Sequence, residues 1–146
     1  MTQWHCKRFD ALTLRELYEI LRVRAAVFVA EQACAYQDLD GRDLSATHLF
    51  CERNGEILAY LRLCEKPDEP ETLHMGRVLT AERGTGLGAE LLRRGIEAAR
   101  QAGAGELYLE AQTYAEGFYA REGFAAYGEP FLEDGIPHVR MRKRLE

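Results

Sequence analysis

Between Arg77 and Arg100 the chain runs RVLTAERGTGLGAELLRRGIEAAR. An apolar stretch leads into a loop with glycine at every second position, Gly84, Gly86 and Gly88, and the loop opens straight into a strongly patterned helix. Glycine admits positive φ and close approach of the backbone. The helix N-terminus behind it offers unpaired amides and a partial positive charge. Together these suit a phosphate: the amides of Thr85, Gly86, Leu87, Gly88 and Ala89 can wrap it, and Arg83 adds charge. A tight strand-to-helix turn alone would need only one glycine. Two other phosphate loops fit less well. No Gly-Lys-Ser/Thr follows Gly86, as a Walker-type loop requires. Neither the spacing nor the preceding hairpin suits a dinucleotide loop inside an all-parallel unit.

Other side chains that can carry chemistry are scattered. His48 opens one strand and His74 lies on another; imidazole titrates near neutrality, so each is either a proton acceptor or a structural histidine. The segment from Glu31 to His48 is polar and holds Asp38, Asp40 and Asp43 around a glycine. Long loops within compact domains are often functional. A calcium loop is discounted, because DLDGRD lacks the distal glutamate and the flanking helix pair. Cys6, Cys34, Cys51 and Cys64 form no C-x-x-C pair, which argues against zinc and redox chemistry.

The elements that position these residues are readable from periodicity. Thr13 and Glu16 make a capping box, and Leu14, Leu17, Leu21, Ala25 and Phe28 follow at helical spacing, which predicts a helix from about Leu14 to about Val29. Asn54-Gly55 joins two alternating runs into a hairpin. Thr72–Thr80 reads as a third strand of that sheet, ending at the glycine loop. The next helix carries Leu87, Leu91, Leu92, Ile96 and Ala99 on one face and Glu90, Arg93, Arg94, Glu97 and Arg100 on the other. GELYLEAQ predicts a strand, TYAEGFYAREGF a short helix closed by Gly123, and HVRMRKRL a last strand. The order is mixed α/β with one right-handed crossover and no repeat or linker.

The 146 residues fit a single domain spanning 1–146, and 47% hydrophobic with 29% charged residues describes a globular chain. A net charge of −5 speaks against a nucleic-acid partner. The basic run Arg140–Arg144 alternates and reads as an exposed strand end. No signal-peptide core or long apolar run is present, so the expectation is a reduced, cytoplasmic protein without a membrane partner.

The pattern Arg83-x-x-Gly86-x-Gly88 between a strand and a helix resembles the acetyl-CoA signature of the GNAT N-acetyltransferase family. GFYAREGF is similar to that family's second conserved block. RAAVFVAEQACAYQDLDGRD and EDGIPHVRM resemble its ElaA-like subgroup. The likeness covers nearly the whole chain, although the link RVLTAE is shorter than family members usually have. It implies a mixed, mainly antiparallel, twisted sheet flanked by helices, with a splayed parallel strand pair holding acetyl-CoA as cosubstrate. The pantetheine arm would lie along Val78, Leu79 and Thr80, in the gap facing Leu107–Ala111. Gln112 falls where many members have a cofactor-contacting asparagine.

Acetyl transfer to an amine needs a neutral nucleophile, donors for the oxyanion and a proton for the departing thiolate. The resemblance implies a backbone amide near Leu79 as oxyanion donor and Tyr119 as general acid; the plainer reading of Tyr119 is a core aromatic. Glu31, His48 and His74 are candidate bases. Arg24, at the edge of the first helix's apolar stripe, either pairs with an acid of the loop or faces substrate. Tyr36, Asp38 and Asp40 would shape an acceptor pocket whose acidity suits a cationic amine. His138 lines that pocket or is structural. The acceptor would be a small-molecule or peptide amine, and the competing class is a non-catalytic CoA-binding or sensing module. Oligomeric state is not legible in the pattern.

Overall fold

The structure is a computed structural model that describes residues 2–31, 38–82 and 84–146, with the side chains of 29–31 outside the description. Tyr36, Arg83 and the side chain of Glu31, three residues singled out above, therefore lie outside the described part.

The capping box forms. The Glu16 amide donates to Thr13 Oγ1 at 3.0 Å and the Thr13 amide to Glu16 Oε1 at 2.9 Å, starting helix α1 (Leu14–Arg24). This helix is shorter than its periodicity predicts. From Ala25 to Glu31 the backbone widens into a π-type turn, which keeps Val27 and Phe28 packed on Ile20, Val23, Phe50 and Leu79.

Seven strands form one sheet: β1 (Gln3–Arg8), β2 (Thr47–Arg53), β3 (Glu56–Glu65), β4 (Thr72–Thr80), β5 (Glu106–Gln112), β6 (Ala125–Glu133) and β7 (Ile136–Arg144), in the spatial order β1-β2-β3-β4-β5-β7-β6. Every pair is antiparallel except β4 with β5. These two are joined through α2 (Leu87–Gln101). Asn54 and Gly55 both take positive φ, 55° and 83°, the geometry of a tight two-residue hairpin between β2 and β3.

Strand β6 is a correction to the expected order. Its residues are exposed almost throughout, so no apolar alternation marks it. Gly128 has φ 73° where the register with β7 shifts, and Pro130 cannot donate to a ladder; both are tolerated because β6 is an edge strand.

The core lies on both faces of the sheet. Leu49 and Cys51 of β2 join one cluster, with Leu61, Met75 and the α2 residues Leu91, Leu92 and Ile96; Phe50 joins the other, with Tyr60, Leu79 and the α1 residues Ile20 and Val23. At Gly95 a Cβ would stand 2.8 Å from Leu61 Cδ2 and 2.9 Å from Met75 Cε, both fully buried. Gly95→Leu should therefore lift α2 from β3 and β4 and cost about 1–3 kcal/mol, read from urea unfolding. An unchanged midpoint would mean that the layer repacks freely.

Candidate active site

Strand β4 pairs with β5 only over Thr72–His74 and Glu106–Tyr108. Beyond these rungs β4 stays with β3 and β5 stays with β7, so the parallel pair splays apart. A bulge sits where they part. The β3–β4 register passes from Arg62↔Gly76 to Tyr60↔Leu79, leaving Arg77 and Val78 opposite Leu61. Arg77 has φ 52°, a conformation that costs a residue with a Cβ about 1–2 kcal/mol. Its side chain is held: Nε donates to Asp38 Oδ1 at 2.8 Å and Nη2 to the Asp38 carbonyl at 3.1 Å.

The gap is a cleft with two adjoining cavities. The inner one, about 170 Å³, is lined by Gly76, Arg77 and Val78 of β4, Leu109 to Gln112 of β5, and Tyr119 and His138. The outer one, about 430 Å³, runs past His74, Arg77 and Glu110 to Asp40, Arg42, Arg62 and Cys64. Glu133 and Asp134 border both.

At the far end of β4 the glycines divide their work. Gly84 and Gly86 take φ of 74° and 77°. Gly86 caps α2 without a side-chain hydrogen bond of its own, a setting in which first-turn amides can serve an anion. Gly88 has no positive φ; a Cβ there would lie 3.3 Å from the Phe118 ring and 3.7 Å from Thr80 Cγ2. Its smallness lets α2 start against helix α3 (Glu116–Ala120). Thr85 Oγ1 accepts from the Leu87 amide at 3.4 Å, and Ala89 lies within the first turn. Gln112, at the end of β5, pairs with His138 and lines the inner cavity.

Tyr119 serves two ends. Its ring packs edge-on against Phe118 and Phe124, with centroids at 5.0 and 6.0 Å. Its remaining surface lines the inner cavity, and burial pushes the phenol pKa above its ordinary value, so the proton stays on oxygen at neutral pH.

The acidic loop is mostly answered from within. Arg24, fully buried, donates to Asp38 at 3.1 Å and Asp43 at 2.7 Å; Arg62 donates to Asp43 at 3.0 Å and to Asp40 at 2.6 Å; Arg77 holds Asp38. Of the two readings of Arg24, ion pairing is the geometry observed. Asp38 and Asp40 are likewise tied to arginines, although Asp40 still borders the outer cavity. Burial alone would raise the Asp43 pKa, but the hydrogen bonds and charges of Arg24 and Arg62 outweigh it and hold the carboxyl below its usual range.

The histidines separate clearly. His48 is fully buried, with Nδ1 2.6 Å from the Tyr60 hydroxyl and Nε2 2.9 Å from the Asp43 carbonyl. It borders neither cavity, so the expectation of a base at His48 is withdrawn. His74 borders the outer cavity, edge-on to Tyr108 at 5.0 Å; burial pushes it down to about 4. His138 lines the inner cavity while stacked on Phe131 at 5.7 Å, with Nδ1 2.7 Å from the Ile136 carbonyl. Sequence reasoning missed Arg77, Glu110 and Glu133. The signal for Glu110 was present: in ELYLEAQ it alternates with the apolar Leu107, Leu109 and Ala111, on the face it shares with Glu106 and the buried Tyr108. Among the described residues, no cluster of His, Cys, Asp and Glu can hold a metal ion, and no helix is long and apolar enough to cross a membrane.

Comparison with known proteins agrees with this geometry. The family profile of the acetyltransferase (GNAT) domain matches residues 17–145. ElaA of Escherichia coli is 36% identical over 150 residues, covering 99% of this chain and 98% of its own. The crystal structure of that ElaA superposes with a TM-score of 0.92, covering 99% and 100% of the two chains. An acyl-CoA N-acyltransferase from Pseudomonas aeruginosa is 42% identical and superposes with a TM-score of 0.90, covering 97% and 99%. The chain belongs to the GNAT acetyltransferase family. Within that family it is ElaA-like, and its mixed sheet with a splayed parallel pair flanked by helices is the fold of these relatives.

Proposed function

We propose that the protein is an N-acetyltransferase that moves an acetyl group from acetyl-CoA to a primary amine by direct transfer while both substrates are bound. The observation that carries this reading is the splayed β4–β5 cleft, lined by Tyr119, with the glycine-led start of α2 following directly on β4.

The amides of Gly84 to Ala89 bind the pyrophosphate, with Arg83 as the accompanying cation. Val78, Leu79 and Thr80 carry the pantetheine arm, and Gln112 contacts it from β5. A backbone amide at or beside Leu79, next to the bulge, donates to the oxyanion that forms when the amine attacks the thioester carbonyl. Tyr119 gives its proton to sulfur as the carbon–sulfur bond breaks. The side chain of Glu31 and the residue Tyr36, outside the description, belong to the acceptor side of this reading.

Thermal unfolding with and without acetyl-CoA tests it. Ligand at about one hundred times its dissociation constant adds about 2.7 kcal/mol. A raised midpoint, followed by thiol release with a panel of amines, is the expected result. A raised midpoint with no thiol release would make the protein a CoA-binding or sensing module. No shift at saturating ligand would overturn the cofactor site and the enzyme reading with it.

A further inference from the structure

Two of the carboxyl groups in the cleft, used by neither the phosphate loop nor Tyr119, come from different strands. Glu110 comes from the middle of β5 and Glu133 from the end of β6, and both border the inner and the outer cavity. Burial, the charge of Glu110 and a hydrogen bond to it push the Glu133 carboxyl above its ordinary range. Glu110 is fixed by the Tyr108 hydroxyl, which donates to its Oε2 at 2.7 Å. Glu133 stands at the mouth, with about half of its side chain exposed.

The surroundings make this wall the acidic one. Arg62 and Arg77, from β3 and β4, are held by Asp40 and Asp38. Arg42, which borders the outer cavity, donates to the Glu65 carbonyl. His74 of β4 is uncharged at neutral pH, and Arg140 of β7, level with Glu110, lies over the Phe131 ring at 4.4 Å. His138 approaches Glu133 at 3.8 Å, and Asp134 adds a further carboxylate in the adjoining turn.

We propose that Glu110 and Glu133 form the subsite for the acceptor's ammonium group and take its proton, so that the acceptor is an alkylamine that is cationic in solution. This rests on the acyl-transfer reading above. The ammonium passes one proton to the carboxyl pair, which releases it to solvent at Glu133, and the nitrogen gains a free lone pair. That lone pair forms the carbon–nitrogen bond, and the carbon–sulfur pair leaves on sulfur and takes the Tyr119 proton. The second proton lost by nitrogen passes to the carboxyl pair and on to solvent, from which Tyr119 is reprotonated. The pair is directional, with Glu110 beside the reacting end and Glu133 at the water.

Two measurements test the assignment. The first needs no acetyl-CoA: n-butylammonium is titrated into the full chain carrying ¹³C-labelled glutamate carboxyls and followed by NMR. The expected result is saturable shifts at two carboxyl signals that disappear in Glu110→Gln and Glu133→Gln, with binding at least about tenfold weaker in each, as for loss of a charged hydrogen-bond partner. No saturable binding by wild type, or equal binding by all three folded proteins, overturns the proposal even if the enzyme acetylates something else. The second uses turnover. Glu110→Gln should lower kcat/KM for n-butylamine about 10²-fold at pH 7, in the range for a lost general base. The loss should shrink as pH rises and supplies free amine. 2,2,2-Trifluoroethylamine, already neutral at pH 7, should lose far less, and an equal loss for both amines counts against the pair as proton acceptor. Failure of the transferase reading shows separately, as absence of thiol release by wild type with every amine.

Discussion

Tyr119→Phe should lower kcat by about 10²–10⁴-fold, the range for removal of a positioned general acid, with little change in acetyl-CoA binding. The substitution deletes one oxygen and keeps the ring that packs between Phe118 and Phe124, so the fold should be kept. The glycine loop at the start of α2 is untouched, so the thermal stabilisation by acetyl-CoA should match that of wild type. The desolvation that keeps the proton on Tyr119 also raises the basicity of a thiolate released beside it, which favours transfer once charge develops on sulfur. Steady-state kinetics paired with the melting shift separate the roles. A large fall in kcat with an unchanged shift identifies the acid. Wild-type turnover would remove Tyr119 from the chemistry and leave solvent as the proton source.

The second large effect is on stability. Asp43→Asn should cost about 3–5 kcal/mol, because it leaves the guanidinium groups of Arg24 and Arg62 short of a counter-charge in the interior. Asp43 accepts from both of them, and its carbonyl also meets His48. The pH dependence has a definite sign. The folded-state pKa of Asp43 lies below its ordinary 3.8, so its contribution is complete above that value and is lost as pH falls through the folded one. His48, kept uncharged chiefly by burial, acts in the same direction from 6.5 downward, since the unfolded chain takes up that proton first. Urea unfolding at several pH values should therefore show wild type losing stability on acidification and the gap to Asp43→Asn closing below pH 4. A constant gap would place the loss in packing rather than charge.

Local signals in the chain report local structure well. The capping box at Thr13, the Asn54-Gly55 turn and the apolar stripe of α2 each depend on residues a few positions apart, and each forms, although α1 ends at Arg24 rather than near Val29. What escaped depends on distant partners. At the bulge, Asp38 holds the Arg77 guanidinium from 39 positions away, and nothing in GRVLT announces it. The carboxyl pair needs β6 beside β7, and β6 has no buried face to create a period of two. His48 looked like a base for the opposite reason. A titratable side chain is visible in sequence, whereas the Tyr60 hydroxyl and Asp43 carbonyl that occupy both its nitrogens are not.

The two outer strands also bear on how the chain behaves in a crowded solution. A sheet grows by accepting another backbone along a free edge, and this one ends in β1, carrying Lys7 and Arg8, and in β6, broken by Gly128 and Pro130 with Glu129 between them. A foreign strand laid against β6 would find no amide at Pro130 and a kinked track on either side of it. The segment least recognisable as a strand is thus a poor template for fibre growth, which allows a seven-stranded sheet to keep open rims without seeding aggregation.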